Sequence, residues 1–151
     1  MADSGTKTAT ENQQNVPKKQ AGNGSFDWVT ERSACTLPKV FHTLLLQVEG
    51  DVKTRNSLRP QNSPYEFSIE QNGGDFKVLL TTGDVRDSVT FVLSERSILV
   101  RDGQANQIFE ITSNLTPEGH CHLVVNNQSL EFWQVRRMAL EGLFFALRGA
   151  H

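Results

Sequence analysis

Apolar and polar side chains alternate with a period of two along the middle of the chain, from Tyr65 to Trp133. Successive side chains of a β-strand point to opposite faces, so this period predicts strands with one buried face. The alternating runs cover residues 65–70, 76–81, 89–93, 98–100, 107–115 and 121–125, and a short seventh run covers 128–133. The pattern therefore predicts a sheet of six to seven strands.

Short turns join these strands. Asn72-Gly73-Gly74-Asp75 and Asn126-Asn127 supply residues that tolerate a positive φ, as tight hairpins require, and Gly83-Asp84 turns the chain between them. Parallel strands would need crossover connections, and no helical pattern lies within this stretch to supply them. The sequence therefore predicts an antiparallel meander with one covered face and one wetter face.

A helix is predicted before the sheet. Thr36 followed by Leu37-Pro38 is a typical helix start, because a hydroxyl suits the cap and proline suits the first turn. At about 100° per residue, one arc of this helix is apolar and the opposite side is polar. The apolar arc consists of Leu37, Phe41, Leu44, Leu45, Val48 and Val52. We expect this helix to end before Pro60.

A second helix is predicted at the end of the sequence, over residues 134–148. Its polar side is a narrow stripe, and its apolar arc is about twice as wide as a helix on a sheet requires. One side carries the apolar row Leu140, Leu143, Phe144 and Leu147. Either this helix is wedged between the sheet and the first helix, or another molecule covers the row, because a monomer rarely exposes so large an apolar patch. The predicted fold is α+β: an N-terminal helix, an antiparallel meander, and a C-terminal helix packed on the sheet.

The first 25 residues contain no Leu, Ile, Phe, Tyr or Trp. Such a segment cannot bury enough apolar area to offset the entropy of ordering it. We therefore expect a disordered polar tail over 1–25 and a single domain over 26–151. The tail lacks the apolar core of a secretory signal, which predicts a cytoplasmic protein. In that compartment Cys35 and Cys121 would remain buried thiols.

The charge balance argues against binding driven by a large net charge. The chain has 15 basic and 17 acidic side chains, and a formal net charge of −2. Its basic residues are dispersed, and we expect Trp28 and Trp133 to anchor edges of the core, so no nucleic-acid partner is predicted. No apolar run approaches the roughly 20 residues needed to cross a bilayer, so no membrane partner is predicted either.

The sequence contains no recognisable catalytic motif: it lacks Walker A, GxGxxG, HExxH, GxSxG and paired CxxC patterns. The best candidate site is the pair His120 and His122. Residues i and i+2 of a strand face the same way, so the two imidazoles can share a metal ion. Further ligands would have to come from distant residues, namely His42, His151, Glu110 and Glu131. No cofactor is assigned.

Two functions follow from these patterns. The first is a non-enzymatic binding module whose partner is a protein, or a second copy of the chain, held by the apolar row of the last helix. The second is a metal-binding protein or metal-dependent enzyme that uses His120 and His122. A third function, as a small-molecule carrier, would need a cavity between the sheet and the helices. The order helix, meander, helix occurs in unrelated folds and does not assign a function by itself.

Overall fold

The computed structural model describes residues 25–146, which form three helices and one seven-stranded sheet. The tail predicted over 1–25 lies outside the described residues except for its last residue. The elements are α1 (Trp28–Ala34), α2 (Leu37–Ser57), β1 (Tyr65–Asn72), β2 (Asp75–Thr82), β3 (Val85–Leu93), β4 (Ile98–Asp102), β5 (Gln107–Leu115), β6 (Cys121–Val125), β7 (Gln128–Leu130) and α3 (Phe132–Phe145). None of the helices in this range is long and apolar enough to span a membrane.

The strands are adjacent in the sheet in the order in which they occur in the chain, and every neighbouring pair is antiparallel. The predicted α+β meander is therefore confirmed. The turn between β6 and β7 shows the local cause, since Asn126 and Asn127 adopt φ values of 53° and 65°. Asparagine tolerates this left-handed region, and two such residues in succession form the tight turn that suits a twisted hairpin.

One face of the sheet is buried under α2 and α3. The alternating residues on that face form a continuous core with the apolar arcs of both helices. The strand residues in this core are Tyr65, Phe67, Phe76, Val78, Leu80, Val89, Phe91, Ile98, Val100, Phe109, Ile111, Leu123 and Val125. The opposite face carries half-buried and exposed residues, as the alternation predicts.

The two edge strands of the sheet differ in length and in their neighbours. The β7 edge has only three residues. On the β1 edge, the Asn56 amide of α2 donates to the carbonyl oxygen of Phe67 (2.8 Å) and accepts from its N–H (3.0 Å). Asn56 thus takes the place of a neighbouring strand at this residue, and short or covered edges prevent aggregation.

The helix boundaries differ in two places from those predicted. Helix α1 was not expected; Asp27 caps it by accepting from the backbone N–H of Thr30 (3.1 Å), and none of its residues is buried. Helix α3 begins at Phe132, two residues earlier than the predicted start at Gln134. The backbone N–H of Glu131 donates to the side chain of Gln134 (2.8 Å), which fixes this start by satisfying a group at the helix end.

The expectation of two free thiols is wrong in this structure. Cys35, between α1 and α2, forms a disulfide with Cys121 at the start of β6, and their Cα atoms are 5.5 Å apart. The bond joins positions separated by 86 residues and ties the beginning of the helical layer to the far half of the sheet. Sequence spacing does not reveal such a pairing, because the meander brings the two positions together only in the folded chain.

Candidate functional site

The broad apolar arc of α3 is explained by the elements around it. This helix contacts β3 and β6 of the sheet and also contacts α2. Leu140, Leu143 and Phe144 are buried within this single chain, whereas Leu147 lies outside the described residues. The three described members of the row therefore belong to the core, which agrees with the wedged arrangement.

The two histidines lie side by side, as strand geometry predicts. The rings of His120 and His122 are nearly parallel, with centroids 6.5 Å apart. Cys121 is held in the disulfide and offers no thiolate. Within residues 25–146 no group of three or more His, Cys, Asp or Glu side chains is arranged to hold a metal ion. The pair therefore has no third protein ligand in this part of the chain, whereas a zinc site normally uses at least three.

Both tryptophans are exposed, which corrects the expectation that they anchor edges of the core. Trp28 is on α1, and Trp133 is in the first turn of α3. Large exposed aromatic side chains are enriched at binding surfaces, because they bury much area at a small cost in side-chain entropy. Trp133 lies at a groove between two helices.

A groove of about 380 Å³ runs between α2 and α3. Its rim carries three large apolar side chains that are mostly exposed: Leu58 (68%), Phe145 (65%) and Trp133 (52%). The buried side chains of Leu140 and Phe144 also line it. Its size lies at the lower end of the range typical of ligand pockets, about 300–1,000 Å³. We call this feature, lined by residues of α2 and α3, the α2–α3 groove.

Arg55 contributes to the lining of the α2–α3 groove although only 7% of its surface is exposed. The Arg55 Nε donates to the carbonyl oxygen of Phe144 (3.0 Å), and Nη2 donates to the hydroxyl of Tyr65 (3.4 Å). Its guanidinium carbon lies 4.9 Å from the ring centroid of Phe145 and 5.2 Å from that of Phe67. Aromatic faces and a carbonyl at the C-terminal end of α3 thus stabilise the buried cation.

These contacts leave part of the guanidinium without an acceptor. A guanidinium has five N–H donors. In the described part of the chain, Arg55 uses two of these N–H donors, and no carboxylate forms an ion pair with it. Buried donors are normally paired, because an unpaired one loses its hydrogen bonds to water without replacement. Within residues 25–146, Arg55 is therefore a buried cation with spare donors beside an apolar groove.

The other charges around the groove are paired with each other. At one end Arg136 binds Asp51 (2.7 Å) across the two helices, and on the rim Arg137 binds Glu141 (3.0 Å) one turn away. Among the described lining residues, both carboxylates thus have an arginine partner. The positive charge left over is that of Arg55.

The position of Arg55 could have been read from the helical period. At about 100° per residue it points in the same direction as Leu37, eighteen residues earlier, in the middle of the apolar arc of α2. An arginine in such an arc indicates a candidate site residue, because arginine is rarely buried without a partner. The α2–α3 groove itself has no sequence signal, since it depends on how two distant helices lie together.

The chain matches no protein-family model, and it has no significant match among curated proteins or among solved structures.

Proposed function

We propose that the protein is a binding module that holds an apolar segment of a partner protein in the α2–α3 groove. The observation that carries this proposal is the clustering of Leu58, Phe145 and Trp133, all more than half exposed, around one concave surface. Exposed apolar side chains are common singly, but their convergence on a cleft is typical of interaction sites. We propose that the partner is held mainly by these exposed side chains, instead of the row Leu140, Leu143, Phe144 and Leu147 predicted from the sequence.

The arrangement favours binding over catalysis. In residues 25–146 the groove is lined by arginines, two paired carboxylates, Thr54 and apolar side chains, and it contains no histidine, serine or cysteine. Both carboxylates are engaged by arginines, so neither is free to act as a general base for the Thr54 hydroxyl. Its aromatic and arginine side chains are instead among those enriched at protein interfaces.

Selection from a random peptide library displayed with free C-termini would test the proposal. We expect apolar peptides to be selected, and we expect their binding to weaken at least 10-fold in the variants Leu58→Glu and Phe145→Glu. Each substitution places a carboxylate on the groove rim at an exposed position, so the fold should be retained. Ile108→Glu is the matched control, because Ile108 is also an exposed apolar residue but lies on β5, outside the groove.

Light scattering across a dilution series shows whether the partner is a second copy of the chain. A dimer that Leu58→Glu dissociates and Ile108→Glu leaves intact would support the groove as a protein-binding surface. Peptides that bind all three variants as tightly as the parent protein would contradict the proposal. The failure to select any peptide, together with a strict monomer, would contradict it as well.

The compartment in which the module works follows from the state of its cysteines. The sequence predicts a cytoplasmic protein, and the cytoplasm keeps most thiols reduced. We propose to decide the location by alkylating thiols in freshly opened cells and measuring the mass of the protein. Two added groups would support the cytoplasm, whereas an unmodified Cys35–Cys121 pair would place the protein in an oxidising compartment.

A further inference from the structure

We infer that the segment held in the α2–α3 groove is the C-terminal end of a partner protein, with its terminal carboxylate on Arg55 and an apolar last residue against the rim. This inference rests on the proposed function and adds the chemistry of the bound segment. It starts from the arginine at the groove, which is more than nine-tenths buried and has spare N–H donors among the described residues.

The charges around the groove indicate that Arg55 binds an anionic group, to which its free N–H groups can donate. Asp51 and Glu141 are already engaged by Arg136 and Arg137, so Arg55 is the unpaired cation among the described lining residues. A planar carboxylate can accept two parallel N–H bonds from a guanidinium, and such charge-assisted pairs are stronger than neutral hydrogen bonds. An anion in the groove would thus complete the hydrogen bonding of a buried cation that the described chain leaves incomplete.

Arg55 lies below the rim of the groove, and this position favours a chain end over the side chain of an internal Asp or Glu. Arg55 is 7% exposed, whereas Leu58 and Phe145 at the rim are exposed by 68% and 65%. An internal carboxylate is on a short stem, and its backbone continues in both directions, so the backbone would meet this rim. A terminal carboxylate has chain on one side only and can enter a groove of about 380 Å³ together with one apolar side chain.

N-acetyl-leucine, N-acetyl-phenylalanine and N-acetyl-tryptophan reproduce the last residue of a peptide, and the corresponding amides lack the charge. Each is titrated into the ¹⁵N-labelled full chain while the Arg55 side-chain Nε–H resonance is followed. We expect at least one acid to shift this resonance, with a Kd on the order of 1 mM. We also expect that acid to bind at least 10-fold more tightly than its amide, since the amide offers no charge to Arg55.

Variants connect this preference to one arginine. Arg55→Met should abolish the difference between acid and amide, whereas Arg96→Met, at an exposed arginine between β3 and β4 and outside the groove, should change it less than two-fold. Because Arg55 also binds α3, its loss can unfold the protein. Leu58→Asp therefore provides a second test at an exposed site, and it should weaken the acid more than the amide by charge repulsion.

The outcomes separate this inference from the proposed function. Equal binding of acid and amide in the groove would overturn the carboxylate assignment and leave an apolar binding module. Tighter binding of hexanoate than of every N-acetyl amino acid would overturn the chain end in favour of a free aliphatic acid. If neither acids nor amides perturb the Arg55 resonance, the inference is wrong; only an accompanying failure of the peptide selection would also remove the proposed function.

Discussion

Removal of the Cys35–Cys121 disulfide should destabilise the fold by an amount set by the length of chain that it closes. The bond joins residues separated by 86 positions. Closing a loop of that length removes conformational entropy from the unfolded chain, which corresponds to about 4–5 kcal/mol at 25 °C. Because small domains are stable by about 5–15 kcal/mol, this loss would be a large part of the total.

Urea denaturation of the oxidised protein, the reduced protein and the double variant Cys35→Ala, Cys121→Ala measures this contribution. Trp28 and Trp133 supply fluorescence, and circular dichroism follows the sheet and helices independently. We expect the free energy of unfolding to fall by about 4–5 kcal/mol on reduction. The m-value should rise, because an unfolded chain without the cross-link exposes more surface.

The double alanine variant should lose somewhat more free energy of unfolding than the reduced protein, because alanine also leaves space where the buried Cys35 sulfur was. A loss below about 1 kcal/mol in both forms would refute the loop-entropy reasoning. Two free thiols in the native oxidised preparation would refute the bond itself.

Three further predictions follow from single contacts. Asn56→Ala should lower the free energy of unfolding, measured by urea denaturation, by about 1–3 kcal/mol, because two partly buried backbone groups of β1 lose their partner. A loss below about 0.5 kcal/mol would contradict the role of this side chain at the edge. Leu143→Ala should lower the free energy of unfolding by about 2–5 kcal/mol, because its side chain is buried. Met138→Ala, on the exposed side of α3, should lower it by less than about 1 kcal/mol. Equal losses would show that Leu143 is not part of the core. Hydrogen bonds from the side chain and then the backbone of Thr30 lower the pKa of Asp27, so the cap stabilises α1 above the unfolded pKa and is lost as pH falls through the lower folded pKa. The protection factors of the α1 amides, measured relative to intrinsic exchange at each pH, should therefore fall below about pH 4, and Asp27→Asn should remove most of that pH dependence.

The alternating period predicts most of the sheet because the turn residues agree with it, and the two asparagines of the last hairpin adopt the positive φ values that their position requires. The agreement is weaker between β4 and β5, where the register shifts after Val100 and Ala105 adopts the positive φ. Helix α1 escaped prediction for a physical reason: it has seven residues and buries none, so it leaves no apolar period to detect.

The candidate site shows where sequence reasoning stops. The width of the apolar arc on α3 is visible in the sequence, but the sequence does not show that α2 covers what the sheet leaves exposed. The disulfide and the α2–α3 groove likewise depend on positions far apart in the chain. Arg55 is the exception, because its place in the apolar arc of α2 can be calculated from helical geometry alone.

A crystal structure grown with the most tightly bound N-acetyl amino acid would show which group Arg55 binds. We expect a carboxylate in the α2–α3 groove, with its oxygens about 2.7–2.9 Å from the Arg55 guanidinium nitrogens and the apolar side chain against Leu58 and Phe145. A ligand that instead pairs with exposed Arg137, or a groove that is closed by the chain itself with no ligand inside, would contradict this expectation.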